Sequence, residues 1–292
     1  MNPPQDGLGS LRFSVLGAGR VGASLAHWAV AQGARLVCVA SGSPQSANRL
    51  AQTLGGQAVA AHDLASHGEE LLLIAVPDAA LASAAFLLAK RRQASVALHT
   101  AGSRTWQVLS PLQAAGTEIG SLHPLLAFPS PRLDPKAAYG VVFGIDGDRS
   151  AQLLAQRLAH AWGALTAVVP PESRLLYHFA ATLAAGGVAT LCAVASGLAE
   201  RLRLPVEVSQ GYLRLAQSAI EVSGLSGAPA ISGPVARGDA GLVESELQAL
   251  GEVDPELLRL AVSLALETLR QLRRAGPLSD AQEETIKRLQ DG

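Results

Sequence analysis

Two histidines stand where short apolar runs of the sequence stop, and a third lies early in a helical pattern. His99 closes "SVALH", His123 lies in "SLHPLLAFP", and His178 follows Tyr177 early in a helical pattern that begins after residues 170–171. An imidazole near its ordinary pKa can give or take a proton close to pH 7. We therefore expect acid–base chemistry with His123 as the first choice and with His99, Tyr177 and His178 as further catalytic candidates. The alternative for each ring is a hydrogen-bonded or exposed histidine without a role in catalysis.

Lysine, another side chain that can protonate a carbonyl oxygen, is scarce in this chain. Only Lys90, Lys136 and Lys287 occur, and Lys90 and Lys287 lie in charged stretches. Hydride transfer to a carbonyl needs an acid for the oxygen, while transfer to a protonated imine mainly needs positioning. Proton transfer would therefore depend on histidine and tyrosine.

A glycine-rich turn follows the first apolar run. In "FSVLGAGRVGASLAHW" the three glycines have GxGxxG spacing, and a helix pattern comes next. The first glycine permits a tight turn, the second lets the backbone approach a pyrophosphate, and the third lets helix pack on strand. The helix N-terminus would bind the phosphates. The predicted dinucleotide-binding residues of this turn are Gly17, Ala18, Gly19, Arg20, Val21 and Gly22. A plain glycine-rich turn is the alternative.

The chain lacks the acid that holds the ribose of NAD in many such sites. No Asp or Glu occurs between positions 6 and 63, and the second apolar run leads into "VASGSPQSANR". Ser41 and Ser43 offer hydroxyls there, and Arg20 or Arg49 could offer positive charge to a phosphate. We therefore expect NADP rather than NAD. The alternative is that the serines only start a turn and cap the next helix.

Short apolar runs alternate with Ala- and Leu-rich amphipathic segments from residue 11 onward. Runs such as "LRFSVLG", "ARLVCVA" and "LLLIAVP" are separated by segments such as "VGASLAHWAVAQG". This order predicts an α/β protein with an N-terminal Rossmann-type, doubly wound parallel sheet that is buried on both faces. Because ligands bind at the carboxyl ends of such strands, we expect Ala75, Val76, Pro77 and Thr100 beside the cofactor.

The strand pattern stops near residue 168, and the remainder reads as helices. We therefore expect a dinucleotide-binding domain over residues 1–168 and an all-helical domain over residues 169–292. The uncharged stretch 179–199 is as long as a membrane helix, but it is rich in Ala and Gly and lacks basic or aromatic flanks on both sides. We expect a helix buried on every side, within its own domain or across a dimer, and no membrane insertion.

The composition is that of a well-buried globular protein. Hydrophobic residues make up 49% and charged residues 16%, and the formal net charge is -1, which excludes a disordered chain. A concentrated basic face is absent, so we expect no nucleic-acid partner. The two cysteines lie in apolar stretches and no secretory signal is visible, which predicts a cytoplasmic protein. No His or carboxylate pair has metal-ligand spacing with a third partner.

Six motifs, taken in order, carry a family resemblance: "VLGAGRVG", "IAVPD", "HTAGS", "GSLHPLLAFP", "PPESRLLYHFAA" and "SGPVARGD". With them the chain resembles the Rossmann-like proteins that carry a domain of unknown function called DUF2520. Those proteins are relatives of pyrroline-5-carboxylate reductase, ketopantoate reductase and prephenate dehydrogenase. The resemblance extends from about residue 11 to about residue 275. It implies an NADP-dependent oxidoreductase, often a homodimer, whose helical domain follows the Rossmann domain, and it implies no substrate.

The segment "ISGPVARGDAG" offers a substrate ligand from the helical domain. Arg237 could clamp a carboxylate with two parallel hydrogen bonds. The alternative is that Asp239 caps the next helix and Arg237 is a surface residue. We therefore expect hydride transfer between NADP and a small anionic carbonyl or imine substrate. The alternative from another class is a non-catalytic NADP-binding dimer that senses the cofactor or regulates.

Overall fold

One eight-stranded sheet organises the first part of the chain. The structure is a computed structural model that describes residues 7–64, 68–90, 94–226 and 231–291. The strands are β1 (Arg12–Leu16), β2 (Arg35–Ala40), β3 (Gln57–Ala58), β4 (Leu71–Ile74), β5 (Val96–His99), β6 (Glu118–Pro124), β7 (Val142–Gly147) and β8 (Leu165–Val168). They lie in the order β3-β2-β1-β4-β5-β6-β7-β8. The first six have the strand order of a dinucleotide-binding Rossmann sheet.

The sheet is parallel except at one pair, where β7 runs antiparallel to β6. The prediction of a doubly wound parallel sheet is confirmed, with this one antiparallel pair as the departure. The physical reason lies in the connection, which contains only a short 3₁₀ helix, Pro135–Ala138, instead of a crossover helix. The connection packs on the first helix through a hydrogen bond of 2.9 Å from Trp28 Nε1 to the Leu133 carbonyl. The two-residue strand β3 was not predicted.

Among the described residues, six α-helices accompany the sheet. They are α1 (Arg20–Ala31), α2 (Pro44–Leu54), α3 (Leu81–Leu88), α4 (Ser110–Ala114), α5 (Arg149–Ala161) and α6 (Arg174–Thr182). One buried cluster joins side chains of α1, α2 and α5 to the sheet, and a second joins α3 and α4 to it. The sheet is therefore covered on both faces, as its unbroken apolar strands require.

The later part of the chain is helical. After a π-helical turn, Leu183–Gly187, come α7 (Val188–Arg201), α8 (Val206–Ser226), α9 (Pro234–Arg237), α10 (Ala240–Val253), α11 (Pro255–Ala275) and α12 (Asp280–Asp291). Every element that the structure describes beyond residue 188 is a helix, which confirms the predicted all-helical part. The chain divides into two compact units, Met1–Val188 and Ala189–Gly292. The predicted boundary near residue 168 marks the end of the sheet instead, and it stays a prediction.

One helical stretch, Pro171–Arg201, is long and apolar enough by length and composition to cross a membrane. None of its most apolar window is buried. The expectation that this helix is buried within its own domain is therefore wrong for the single chain. The large apolar side chains Leu175, Leu176 and Phe179 of this stretch are exposed, although Arg174 and Ala199 are buried. Burial of the apolar face against another molecule is the remaining alternative.

Candidate functional site

The glycine turn between β1 and α1 has the shape that a pyrophosphate needs. Gly17 has φ +105°, and a Cβ there would lie 2.3 Å from the Ala75 carbonyl oxygen. A Cβ on Gly22 would lie 2.0 Å from the Gly17 carbonyl oxygen. At Gly19 a Cβ would meet no atom within 4 Å, so open space lies above the backbone where a ligand would approach.

The N-terminus of α1 leaves its first amides available to that space. Gly19 is the N-cap residue, and no side chain caps the helix. The first amides of an α-helix have no partner within the helix, and its dipole favours an anion there. The turn as a whole, residues 17–22, therefore fits the pyrophosphate of a dinucleotide, with exposed Arg20 beside it.

The loop after β2 supplies hydroxyls, and one of them already caps a helix. Ser43 is the N-cap of α2, and its Oγ accepts a hydrogen bond of 3.3 Å from the Ser46 amide. Ser41 Oγ accepts a hydrogen bond of 3.4 Å from the Ser43 amide. The capping alternative therefore holds for Ser43. Arg49 on α2 lines a cavity of about 270 Å³ with Arg132 from the loop after β6.

The loops after β4 and β5 lie at the same edge of the sheet. Ala75 and Val76 are half-buried and Pro77 is exposed, while Thr100 is buried behind the loop. Ser103 Oγ donates a short hydrogen bond to the Asp78 carboxylate, which ties the two loops together. These loops place the predicted cofactor contacts at the carboxyl ends of neighbouring strands.

His123 lies at the carboxyl end of β6, and its ring meets α6. His123 Nδ1 is 2.9 Å from Tyr177 Oη, and the two rings pack edge to face with their centroids 5.5 Å apart. The centroid of the His178 ring lies 5.9 Å from that of His123. The structure therefore brings together three of the four residues that we predict to be catalytic.

Two glycines make this packing possible. A Cβ on Gly102 would lie 2.3 Å from His178 Cδ2 and 2.6 Å from His123 Nε2. A Cβ on Gly144, which pairs with His123 across β6 and β7, would lie 2.4 Å from Tyr177 Oη. No larger residue leaves room for the three rings.

An arginine that sequence reasoning did not single out lies behind these rings. Arg174 is 1% exposed. Its Nη2 donates a short hydrogen bond to Ser121 Oγ, and its Nε donates one of 3.2 Å to the Arg104 carbonyl. Its Cζ lies 5.7 Å from the centroid of the Tyr177 ring. A signal for it was present, because residues 174, 177 and 178 share one face of a helix at i, i+3 and i+4 spacing.

Burial keeps the two strand-end histidines neutral. Desolvation first and the charge of Arg174 second lower the pKa of His123 to about 4 and that of His99 to about 3. His178 lowers the pKa of His123 further, and Asp78 opposes the change. Near pH 7 each ring is therefore neutral, with one nitrogen that donates and one that accepts.

Tyr177 and His123 share one hydrogen bond, whose direction depends on the tautomer of the ring. Burial raises the pKa of the Tyr177 hydroxyl, while the charge of Arg174 and the Gly144 backbone lower it. In the tautomer with a bare Nδ1, the phenol donates to that nitrogen across 2.9 Å. The proton of the neutral His123 ring then sits on Nε2, the nitrogen that faces Gly102.

His99 does not share this position. It is 0% exposed, and neither ring nitrogen has a hydrogen-bond partner among the described residues. The backbone of Thr105 opposes the fall in the pKa of His99. His99 is therefore part of the buried base of the site and is shielded from any substrate by the residues above it.

A cavity of about 750 Å³ opens beside His123, Tyr177 and His178. Its other walls come from residues 124–127 and from the segment 180–186, which are mostly Leu, Ala and Gly. The cavity is therefore polar at the three rings and apolar elsewhere. Within the described residues no group of three His, Cys, Asp or Glu is placed to hold a metal ion.

Arg237, the predicted substrate ligand, is the last residue of α9 and is exposed. Gly238 follows it with φ +73° and ends the helix. Asp239 Oδ1 accepts a hydrogen bond of 3.3 Å from the Leu242 amide at the start of α10. The predicted capping role of Asp239 is therefore confirmed, and the role of Arg237 stays a prediction.

Comparison with known families covers nearly the whole chain. Residues 3–124 match the model of a Rossmann-like domain, and residues 141–268 match the model described as Domain of unknown function (DUF2520). A search of curated proteins finds no match.

Three solved structures are similar in fold. A Bacteroides fragilis protein, provisionally assigned as an NADP oxidoreductase, is 22% identical with a TM-score of 0.73, over 89% of this chain and 98% of that one. Plasmodium falciparum pyrroline carboxylate reductase with NADP bound is 14% identical with a TM-score of 0.61, over 90% and 99%. Prephenate dehydrogenase from A. aeolicus, in complex with hydroxyphenyl propionate and NAD+, is 15% identical with a TM-score of 0.57, over 96% and 95%.

At these identities the similarity shows a shared fold, and the two family models add the domains that build it. The strand order and the glycine turn lie in the stretch that matches the Rossmann-like model. Most of the helices beyond residue 188 lie in the stretch that matches the DUF2520 model. The two models confirm the resemblance to Rossmann-like proteins that carry a DUF2520 domain.

Proposed function

We propose that this protein is an oxidoreductase that transfers a hydride between NADP and a small carbonyl or imine compound. The observation that carries the proposal is the hydrogen bond between His123 and Tyr177 at the carboxyl edge of the sheet, beside an open cavity. The glycine turn at the same edge supplies the place for a dinucleotide. Similar folds include one structure with NADP bound and one with NAD+.

The pair can deliver a proton without an ionised histidine. The bound nicotinamide would supply the hydride, and the carbonyl oxygen then needs a proton. The His123 Nε2 proton passes to that oxygen, and Nδ1 takes the proton of the Tyr177 hydroxyl. Nε2 then takes a proton from solvent while the Nδ1 proton passes back to the phenolate, so the protein returns to its starting state.

The preference for NADP rests on charge. The loop after β2 contains no carboxylate that would repel a phosphate, and Arg20 is exposed beside the glycine turn. Arg49 lies one turn into α2, beside a second arginine, Arg132. Calorimetry with NADPH and NADH tests this part, and we expect tighter binding of NADPH. Tighter binding of NADH would show that the serines only cap α2.

The substrate class rests on two separate observations. The cavity is mostly apolar, with no Arg or Lys in its described lining. Arg237, in the other compact unit, is exposed and could bind a carboxylate. We therefore propose a substrate with an apolar body, a reactive C=O or C=N group and a carboxylate. NADPH oxidation against a panel of keto acids and cyclic imines tests the function. Tight cofactor binding without turnover on any of them would favour the sensor alternative.

We propose a cytoplasmic homodimer, and an exposed apolar helix supports the dimer. On α6, Leu175 is 71% and Leu176 is 75% exposed. Phe179 on the same helix and Leu183 in the π-helical turn after it are also exposed. Monomeric soluble proteins rarely expose a continuous apolar patch of this kind. We therefore propose that a second copy of the chain covers this face, rather than lipid.

A further inference from the structure

We propose that Arg174 is a positioning residue of the candidate site, whose buried guanidinium holds the Tyr177 ring in place and keeps its hydroxyl aimed at His123. This inference rests on the proposed function for its meaning in catalysis. The arrangement itself can be tested without turnover.

The position of Arg174 is fixed from three sides. Ser121 accepts from Nη2, the Arg104 carbonyl accepts from Nε, and the Tyr177 ring lies against the guanidinium. Ser121 and His123 are two residues apart on β6, so their side chains share one face of the strand. Two neighbouring contacts therefore join one face of β6 to one face of α6: Ser121 with Arg174, and His123 with Tyr177.

Arg174 is a buried cation without a directly bonded carboxylate among the described residues, so its charge affects the groups around it. No salt bridge to Arg174 occurs among the described residues, and its Nη1 is buried with no hydrogen-bond partner there. Asp146 interacts with it at longer range, and burial lowers the pKa of the guanidinium. The positive charge is therefore weakly compensated, which makes its field strong at neighbouring groups.

That field favours the proposed direction of proton transfer. Desolvation is the largest cause of the lowered pKa of His123, and the charge of Arg174 is the second. His178 lowers this pKa too, and Asp78 raises it. The charge of Arg174 also lowers the pKa of the Tyr177 hydroxyl against the effect of burial. A neutral His123 can accept from Tyr177 on Nδ1, and the guanidinium beside the ring stabilises the phenolate that is left when the proton leaves.

The first test is a titration of the His123 ring by NMR in full-length protein, in wild type and in Arg174→Met, with Arg174→Lys as the variant that keeps the charge. We expect the pKa of His123 near 4 in wild type. Arg174→Met should raise this pKa, while burial, the larger cause of the shift, keeps it below the ordinary value of about 6.5, and Arg174→Lys should leave it low. Arg149→Met removes an exposed arginine of α5 and should leave the titration of His123 unchanged.

The second readout is the pH profile of kcat on whichever substrate supports turnover. Arg174→Lys should lower kcat at least tenfold with little change in KM, because charge remains but the guanidinium fork is lost. Arg174→Met should also move the acidic limb of the profile to higher pH. An unchanged titration of His123 in a folded Arg174→Met protein would overturn the proposal. If Arg174→Met does not fold, a wild-type kcat in Arg174→Lys would overturn it. Absence of turnover in wild type would instead count against the proposed function and leave the titration to decide the role of Arg174.

Discussion

At the scale of single residues, the site depends on groups that are kept uncharged by burial. His123 can work as a neutral relay because desolvation and Arg174 remove its tendency to bind a second proton. In the proposed mechanism its partner Tyr177, 2.9 Å away, supplies the second proton, so that His123 need not become an imidazolium. The mechanism therefore differs from the simple expectation of a histidine that titrates near pH 7.

The buried His99 makes the stability of the fold depend on pH. Its pKa falls from an ordinary value of about 6.5 to about 3 in the folded protein. Between these two pH values the unfolded chain binds the proton more tightly than the folded chain does. The contribution of His99 to the free energy of unfolding is therefore fully present above about pH 6.5 and is lost as the pH falls toward about 3. We expect His99 to contribute a slope on the order of 1 kcal/mol per pH unit in this window.

Chemical denaturation at about pH 7.5 and about pH 5 measures that slope. His99→Leu should reduce it, because the titrating group is gone. Leu98→Val changes the buried neighbour and should lower the free energy of unfolding equally at both pH values. The same slope in His99→Leu as in wild type would show that other groups cause the pH dependence.

Sequence reasoning found the polar rings of the site but not what holds them. His123 and the pair Tyr177 and His178 could be placed together because strand ends and a helix entry meet at one edge. Arg174 lies in the first turn of a helix, where arginine is ordinarily exposed. Its burial depends on Ser121 and on the Tyr177 ring, which only the folded chain brings next to it.

At the scale of elements, the closeness of β7 and α6 sets where the phenol can lie. Gly144 pairs with His123, and its missing side chain leaves the space that Tyr177 Oη occupies. The antiparallel direction of β7 brings this glycine opposite the histidine. Apolar strands read alike in both directions, so the sequence could predict β7 but not its direction or this pairing.

Gly144→Ala tests the contact between these elements. The added methyl group would lie 2.4 Å from Tyr177 Oη and 3.2 Å from Val169 Cγ2, so the ring must move. We expect a loss of about 1 to 3 kcal/mol in the free energy of unfolding, as for other overpacked positions. We also expect the His123 ring signal to change in NMR spectra.

The matched control is Gly241→Ala in α10, where a Cβ would meet no atom within 4 Å. Alanine in place of glycine stabilises a helix interior by up to about 1 kcal/mol, and Gly241 lies in the first turn, so this variant should be at least as stable as wild type. Equal stability of Gly144→Ala and wild type, with unchanged ring signals, would contradict the close packing at Tyr177.

At the scale of the whole molecule, the exposed face of α6 predicts self-association. Leu176 is 75% exposed on α6, and Leu153 is 57% exposed on α5. We expect wild type to sediment at twice the chain mass without detergent, and Leu176→Glu to shift the protein toward the monomer. Leu153→Glu introduces the same charge on another helix and should not change the mass.

Analytical ultracentrifugation distinguishes the possible outcomes. A wild-type monomer that stays in solution would contradict the homodimer. A protein that remains in solution only with detergent would instead show that lipid covers the helix Pro171–Arg201. The sequence could predict this apolar stretch but not its exposure, because burial depends on what other elements pack against it.

The alternation of strands and helices was sufficient to predict the class of the fold, since period and glycine spacing are local properties of the chain. The extent of each compact unit was not predictable in the same way. The helix after Pro171 begins beyond the last strand, yet residues up to Val188 belong to the unit that contains the sheet. Contacts such as those of Arg174 with Ser121 decide that membership, and they join residues far apart in sequence.

The central claim is that the His123 and Tyr177 pair transfers a proton beside a bound NADP. It is tested most directly by NADPH oxidation in wild type and His123→Asn, on the best substrate of the keto-acid and cyclic-imine panel, with cofactor affinity measured in parallel. We predict that His123→Asn lowers kcat about 100-fold or more, the usual contribution of a general acid, while the Kd for NADPH stays within about twofold of wild type, less than 1 kcal/mol. Unchanged turnover in His123→Asn would contradict the claim.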